Sequence, residues 1–488
     1  MSNINKVFNP KFGNLINELD QLSPRFEISS NQIEILKDPK EFYSTLKQKI
    51  NNAQNRIFIS SLYIGKNQDE LIQCISNSLE SKPNLKVYIL TDALRGTRET
   101  PSKSSASLLS KLLIKYESQV DIRMYHTPHL NGIKKSIVPK RFNEGFGLQH
   151  MKIYGFDDEL ILSGANLSND YFNNRQDRYY LFKSNQISNY FFNIQKLISQ
   201  LSYKLYHNKN KLQFELKWPQ NNPIIEPNSK NIHRFIKESS KLLTDFLKLK
   251  SNSFESDNFK STSNTSTTYV YPVSQFSPLM QQNSDQSTEK RSIFKILNYI
   301  NENSNIKWWF TAGYFNMLPE IKSNLLNSEN SGEVITASPL ANGFYKSKGI
   351  SGMLPDAYLY LAKKFLNDIY NSQRQKNIVL KEWQRGIVNT VNGWSYHAKG
   401  LWVSSPGENK PSLTIIGSSN YTRRAYNFDL ESNVIIVTND EILKDKMQDE
   451  LNNLNKYTKP LELEDFEKND KKISKIVILL TKLLGKRL

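Results

Sequence analysis

Two stretches of this chain carry histidine, lysine, asparagine and a carboxylate in the same order. The first, QHMKIYGFDDELILSGANLSNDYFNNRQD, runs from Gln149 to Asp177 and holds His150, Lys152, Asp157, Asn166 and Asp177. The second holds His397 and Lys399 in YHAKGLWVSS, then Ser418, Asn420 and Glu431 in LTIIGSSNYTRRAYNFDLE. In both, the carboxylate stands eleven residues after the asparagine. One His-x-Lys is an accident of the surface. Two, each leading into a strand and an asparagine, predict a catalytic site. An imidazole can attack phosphorus and form a covalent intermediate. A second imidazole can protonate the leaving oxygen and then take the proton of the incoming nucleophile. Lysine and asparagine can hold the non-bridging oxygens as charge builds on them. Asp177 and Glu431, on the far ring nitrogens, would set the tautomer and orientation of the histidines.

The elements that must position these residues also come in two series. Residues 39–54 have the period of a helix with Phe42, Leu46 and Ile50 on one face. Strands follow at 56–65, 85–99 and 119–126, then the His150 stretch, a strand at 177–184 and a helix at 187–206. The series recurs with a strand at 307–316, the stretch 332–352 in the place of 85–99, a helix at 355–372, a strand at 378–384, the His397 stretch, a strand at 433–439 and a helix at 440–455. Alternating strands and helices predict an α/β protein with mixed sheets flanked by helices. We divide the chain into an N-terminal extension (1–38), a first half (39–212), a connecting part (213–300), a second half (301–460) and a basic amphipathic C-terminal segment (461–488). Each half supplies one His-Lys pair, so the site is expected where the halves meet. In the connecting part, 231–249 reads as an amphipathic helix and 250–268 as a flexible insertion. The stretch YVYPVSQFSPLM reads as ordered, against a sheet edge or lining the cleft.

At 488 residues the chain exceeds one ordinary core. Its 65 Lys and Arg against 47 Asp and Glu give a net charge of +18, which suits an anionic partner such as a nucleic acid or an acidic membrane surface. Part of that excess is compositional, since Lys, Asn and Ile abound throughout. The single cysteine, Cys74, excludes an internal disulfide framework. No acidic cluster marks an obligatory metal. No run reaches the roughly 18 apolar residues of a spanning helix, and the first thirty residues have neither a secretory core nor the composition of a mitochondrial presequence.

The paired motifs resemble the phospholipase D superfamily, whose mark is His-x-Lys-x4-Asp with a downstream Gly-Ser-x-Asn, occurring twice. His150, Lys152 and Asp157 match the first motif, with Ser163-Gly164 where the family has Gly-Ser. His397, Lys399, Gly417, Ser418 and Asn420 match the second, with Ser404 in place of the aspartate. The resemblance implies tandem phospholipase D-like domains and catalysis by His150, Lys152, His397 and Lys399, with the Asp157 position mainly structural. TDALRGTRE (91–99), WFTAGYFN (309–316), TASPLANGFYKSKGISGMLPDAY (336–358) and YHAKGLWV (396–403) are further similar to eukaryotic phosphatidylglycerophosphate synthases, over most of 39–455. That similarity implies CDP-diacylglycerol and sn-glycerol 3-phosphate as substrates, a peripheral place on the mitochondrial inner membrane, and no required cofactor, with stimulation by a divalent cation left open. Lys346, Lys348, Arg95 and Arg98 are candidates for the acceptor phosphate. The alternatives are another superfamily phosphodiesterase, similar to phosphatidylserine synthases or acting on nucleic acid, and a catalytically dead lipid-binding scaffold. No nucleic-acid module is evident, so a nucleic-acid partner is not expected. The C-terminal stripe of Ile473, Ile476, Val477, Leu480, Leu483 and Leu484, flanked by lysines, fits either an interfacial helix on an anionic membrane or a cap on the core.

Overall fold

Strand pairing accounts for the repeat in the sequence. In the computed structural model, which describes residues 8–99, 103–209, 214–249, 267–468 and 471–485, the strands form two nine-stranded mixed sheets. From one edge inward the first sheet runs Ile33–Leu36, Tyr179–Lys183, Glu159–Ser163, Ile153–Phe156, Arg56–Ser60, Lys86–Asp92, Val120–Tyr125 and Tyr203–His207, with Phe214–Lys217 outermost. The second runs Thr268–Gln275, Glu431–Thr438, Pro411–Gly417, Lys399–Ser404, Lys307–Ala312, Ser331–Ala337, Ile378–Trp383 and Thr458–Pro460, with Phe26–Ile28 beside Thr268–Gln275. The eight named positions correspond one to one, and in each sheet a parallel centre is continued by antiparallel strands.

The strands are nearly continuous buried runs because both faces of each sheet are covered. Helix Pro39–Asn52 begins where Asp38 accepts the Lys40 and Glu41 N–H groups and buries Phe42, Leu46 and Ile50, as the sequence period predicts. With Asp69–Ser81 and Ser105–Tyr116 it covers the outer face of the first sheet. Helices Glu289–Glu302, Pro319–Asn327 and Leu354–Asn371 cover the second. The inner faces share one core, in which Phe58, Leu162 and Tyr180 of the first sheet cluster with Trp402, Val434 and Ile436 of the second. Arg178 fastens this core. Its guanidinium meets Glu450 at 2.8 Å, donates to Ile415 O at 2.6 Å and lies 3.8 Å from the centre of the Trp402 ring.

Several boundaries differ from the sequence reading. Each repeat begins before residues 39 and 301, at the edge strands Ile33–Leu36 and Thr268–Gln275. The first has only four residues, and the second contains Pro272; both features weaken a strand signal. Pro272 is accommodated because Phe26–Ile28 covers the outer edge only along Thr268–Val270. The N-terminal part is no appendage: helix Pro10–Asp20 buries Phe12, Leu15, Ile16 and Leu19 in the second half's core. The helix read at 187–206 ends at Ser199, and Tyr203–His207 is a strand. Residues 250–266, nearly all of the expected flexible insertion, lie outside the described residues.

Candidate active site

The two histidines are brought together by backbone bridges that cross between the halves. Ser395-Tyr396 pairs in parallel with Arg175-Gln176, and the His397 N–H donates to Gln176 O at 2.8 Å. On the other side the His150 N–H donates to Leu430 O at 2.9 Å, and the Leu430 N–H to Leu148 O at 2.8 Å. Each histidine is therefore stitched to the residue just before the other half's carboxylate. The side chains follow: His150 Nδ1 lies 2.9 and 3.0 Å from the Glu431 oxygens, and His397 Nδ1 lies 2.6 Å from Asp177 Oδ2. Each carboxylate stands on the histidine of the opposite half.

The lysines stand beside these pairs. Lys399 Nζ is 3.3 Å from Asp177 Oδ2 and 2.8 Å from His397 Nδ1. Lys152 Nζ donates to His150 O at 2.6 Å. Ser418 Oγ donates to Glu431 Oε2. At the corresponding place the first half has Gly164, where a Cβ would lie 2.2 Å from Lys399 Nζ and 2.6 Å from Asp177 Oδ1. The inverted Ser163-Gly164 order thus makes room for the lysine. Asn166 and Asn420 each keep a buried amide oxygen with no partner among the described residues, and Asn166 Nδ2 donates to Tyr171 OH at 3.2 Å.

Burial governs the protonation of the site. It drives both histidines well below their ordinary range, with the neighbouring lysines acting in the same direction. It brings the Lys152 ammonium down to about 7 against the pull of Glu431. It pushes the Glu431 carboxyl up to about 7 despite Lys152 and Ser418. For Asp177 burial also acts upward, but Lys399 and His397 outweigh it and hold the carboxyl below its usual value. The two pairs are alike in shape and unlike in charge.

A second inequality lies on the two Nε2 atoms. Tyr171 OH sits 3.3 Å from His397 Nε2, and the Tyr171 and Tyr314 rings meet the imidazole edge-on with centroids at 5.2 and 5.1 Å. The repeat counterpart of Tyr171, five residues after the motif asparagine, is Ala425. Among the described residues no side chain hydrogen-bonds His150 Nε2. Ion pairs flanking the site are also inverted: Asp170 pairs with Arg175 at 3.1 Å, and in the second repeat Arg424 pairs with Asp429 at 3.0 Å. Tyr171, Arg175, Tyr314 and Asp429 were missed by motif reading. Aligning the two copies would have exposed the first, second and fourth through their exchanged residue types.

Other predicted residues lie apart from the histidines. Asp157 sits at a hairpin turn with φ +49°, and its carboxylate accepts the N–H groups of Gln54, Asn55 and Arg56 at 2.7–2.9 Å. It braces the start of strand Arg56–Ser60. Its counterpart Ser404 does the same with one bond, from Lys307 N–H to Oγ at 2.8 Å. Arg95 and Arg98 gather on Glu144, at 3.8 and 2.9 Å, and Arg424 donates to Glu144 O. Arg95 also lies over the Tyr63 ring at 4.6 Å, and its N–H caps on Asp92, whose other oxygen holds the Gln149 N–H beside His150. Lys346 and Lys348 are exposed on a loop whose Phe344 packs on Tyr314, which places them at the rim. No group of three His, Cys, Asp or Glu suited to a metal occurs among the described residues.

Residues 46–197 match the family profile described as cardiolipin synthase, PLD-like domain. A Saccharomyces pastorianus protein named CDP-diacylglycerol–glycerol-3-phosphate 3-phosphatidyltransferase is 55% identical over 95% of this chain and 89% of its own length. The Saccharomyces cerevisiae protein of that name is 53% identical over 98% of this chain and 93% of its own. A human relative, 30% identical over 95% of this chain and 84% of its own, has the same name with the word mitochondrial added. Among solved structures, a phosphatidylserine synthase from Haemophilus influenzae superposes with a TM-score of 0.71 over 98% of both chains at 20% identity, a likeness of fold.

Proposed function

Because the chain belongs to the CDP-diacylglycerol–glycerol-3-phosphate 3-phosphatidyltransferase family, we propose that it makes phosphatidylglycerophosphate through a phosphatidyl-histidine intermediate on His150. It is a phosphatidyltransferase of phospholipid biosynthesis within the phospholipase D superfamily. The observation that carries the mechanism is the pair of crossed His–carboxylate contacts, which leaves two Nε2 atoms to share one phosphorus. With its Nδ1–H donated to Glu431, His150 has its Nε2 lone pair free to attack the diacylglycerol-bearing phosphorus of CDP-diacylglycerol. The P–N bond forms, the pyrophosphate P–O bond breaks and CMP leaves, with His397 supplying a proton to the departing oxygen. The primary hydroxyl of sn-glycerol 3-phosphate then attacks the same phosphorus, His397 takes its proton and the P–N bond breaks.

Tyr171 supports this division of labour. A hydroxyl at His397 Nε2 stands where a leaving or entering oxygen would exchange a proton, whereas Ala425 leaves His150 unobstructed. Lys152 and Lys399 supply the positive charge for the non-bridging oxygens, so transfer needs no divalent cation. Arg175, over the Tyr171 ring at 4.5 Å, and Arg95, over the Tyr63 ring at 4.6 Å, are suited to the acceptor phosphate. The product leads toward phosphatidylglycerol and cardiolipin. The mitochondrial name of the human relative and the absence of any described helix long and apolar enough to cross a membrane support a peripheral place on the mitochondrial inner membrane. The C-terminal helix Lys475–Leu484 fits both earlier alternatives: Val477 and Thr481 are buried against the protein, while Ile476, Leu479 and Leu483 stand exposed. Lys471 is taken out of the lipid-facing set by its buried pairing with Glu382 at 2.7 Å.

The test is transfer of labelled sn-glycerol 3-phosphate into lipid with CDP-diacylglycerol as donor, run beside serine as acceptor and single-stranded DNA as substrate. Product with glycerol 3-phosphate alone supports the reading. Preference for serine, or cleavage of DNA, overturns it. A labelled phosphatidyl-enzyme is expected in His397→Ala and not in His150→Ala; an adduct on His397 would reverse the roles.

A further inference from the structure

The two segments that lead into the catalytic histidines both push aliphatic side chains into solvent. Between strand Val120–Tyr125 and His150, helix Gly132–Ile137 buries none of its residues. Ile133 and Ile137 are 77% and 72% exposed, and Phe142 just beyond is 49% exposed. Between strand Ile378–Trp383 and His397, at the same place in the second repeat, a loop turns through Gly386, Asn389 and Asn392 at positive φ. It leaves Val391 91% exposed. Both segments leave the carboxyl ends of parallel strands, at the end of each sheet where Ser60 pairs with Ile153 and Ala312 with Lys399. That is the end that carries the histidines.

Single exposed aliphatics are ordinary. A six-residue helix with no packed face is not, because so short a helix is unstable in water unless its apolar side is covered. Lys134 and Lys135 lie on this helix between Ile133 and Ile137 and are exposed, so apolar tips and cations point outward together. Two separate small tips do not make the contiguous patch of about 800 Å² that a stable protein partner needs. They suit a fluid layer with an apolar interior and an anionic face.

We propose that residues 132–142 and 386–392 are paired wedges that insert into the interfacial layer of an anionic phospholipid bilayer and set the cleft mouth against it. The inference deepens the lipid-substrate reading above and rests on it for its purpose. The first wedge is joined to the site within two residues, because Glu144 holds Arg98 and Arg95.

Vesicle co-sedimentation tests the proposal, with phosphatidylcholine vesicles containing phosphatidylglycerol compared against phosphatidylcholine alone. The Ile133→Ser/Ile137→Ser/Val391→Ser variant should partition to anionic vesicles roughly tenfold or more weakly than wild type. Its transfer rate on substrate dispersed in detergent micelles should stay within about twofold, since none of the three touches the reacting groups. Wild-type activity in micelles reports on the function reading separately from vesicle binding. As a second measurement, Ile137→Cys in a Cys74→Ser background, carrying an environment-sensitive dye, should brighten and shift to the blue on anionic vesicles. Unchanged partitioning of the triple variant, or a dye that stays in water on vesicles that bind the protein, overturns the proposal. Loss of contact with a protein partner and not with vesicles would overturn it too.

Discussion

Glu431 lies near its titration midpoint at neutral pH, because burial pushes its carboxyl up to about 7, while Asp177 is held ionised beside Lys399. Ionised Glu431 is the stronger acceptor for the His150 Nδ1–H and favours the tautomer whose Nε2 lone pair is free for the proposed attack. As pH falls through about 7 the carboxyl gains a proton and that preference weakens. We expect the single-turnover rate of phosphatidyl-enzyme formation to drop on the acid side of about 7. Glu431→Gln should remove that limb and leave a flat rate lower by about 10²-fold or more, whereas a wild-type profile in Glu431→Gln would remove Glu431 from the mechanism. The linkage to stability has the opposite sign. The folded value lies above the unfolded value of about 4.3, so this group's stabilising contribution is complete below about 4.3 and is lost as pH rises through about 7. The buried histidines oppose it: both are depressed, so they withdraw stability as pH falls below about 6.5. Gly164 offers a steric test at the same scale. Gly164→Ala would set a methyl against Lys399 Nζ and Asp177. Transfer should fall by about tenfold or more with little change in secondary structure by circular dichroism; an unchanged rate would mean that the lysine has room to move.

Among the elements, what was legible in the sequence was whatever repeats with its chemistry intact. The His-Lys pairs, the strands around them and the carboxylates eleven residues past each asparagine stand out because their residue types are unusual and recur. What was not legible was pairing across the chain. Spacing alone gives no sign that Gln176 would bind the His397 N–H or Leu430 the His150 N–H, because a parallel bridge of two residues has no periodicity to display. Spacing likewise gives no sign of where Asp157 acts: its carboxylate caps the chain at Gln54–Arg56. The C-terminal helix was ambiguous because both of its faces are apolar, and each has its own use. Ile476→Ser/Leu479→Ser/Leu483→Ser should weaken binding to anionic vesicles, most at low ionic strength, with Tm nearly unchanged. Val477→Ser should do the reverse, costing about 1–3 kcal/mol through loss of packing. If the exposed triple lowers Tm as much as Val477→Ser does, the helix is a cap alone.

For the whole molecule, the crossed contacts make one enzyme of two similar halves, and neither half holds a finished site. His150 needs Glu431, and His397 needs Asp177. The inner faces of both sheets share a core in which Arg178 and Glu450 form a buried pair. Breaking such a pair from one side strands a charge and costs about 3–5 kcal/mol, while replacing both partners with apolar groups costs less. Arg178→Met should therefore lower Tm more than Arg178→Met/Glu450→Leu. The N-terminus adds a second tie, since helix Pro10–Asp20 belongs by sequence to the first half and by packing to the second. Dividing the chain inside 250–266 would separate the halves without cutting any described strand or helix. A fragment ending there would expose Phe12, Leu15, Ile16 and Leu19 and carry His150 without its carboxylate. A fragment starting there would lack the first sheet that covers Trp402 and Val434. We expect each fragment alone to be poorly soluble and inactive, and the two expressed together to recover transfer activity. Activity in either fragment alone would mean that a half can complete its own histidine, most directly by forming a homodimer in which a second copy supplies the missing partner. Size-exclusion chromatography of an active fragment would then show twice the fragment mass.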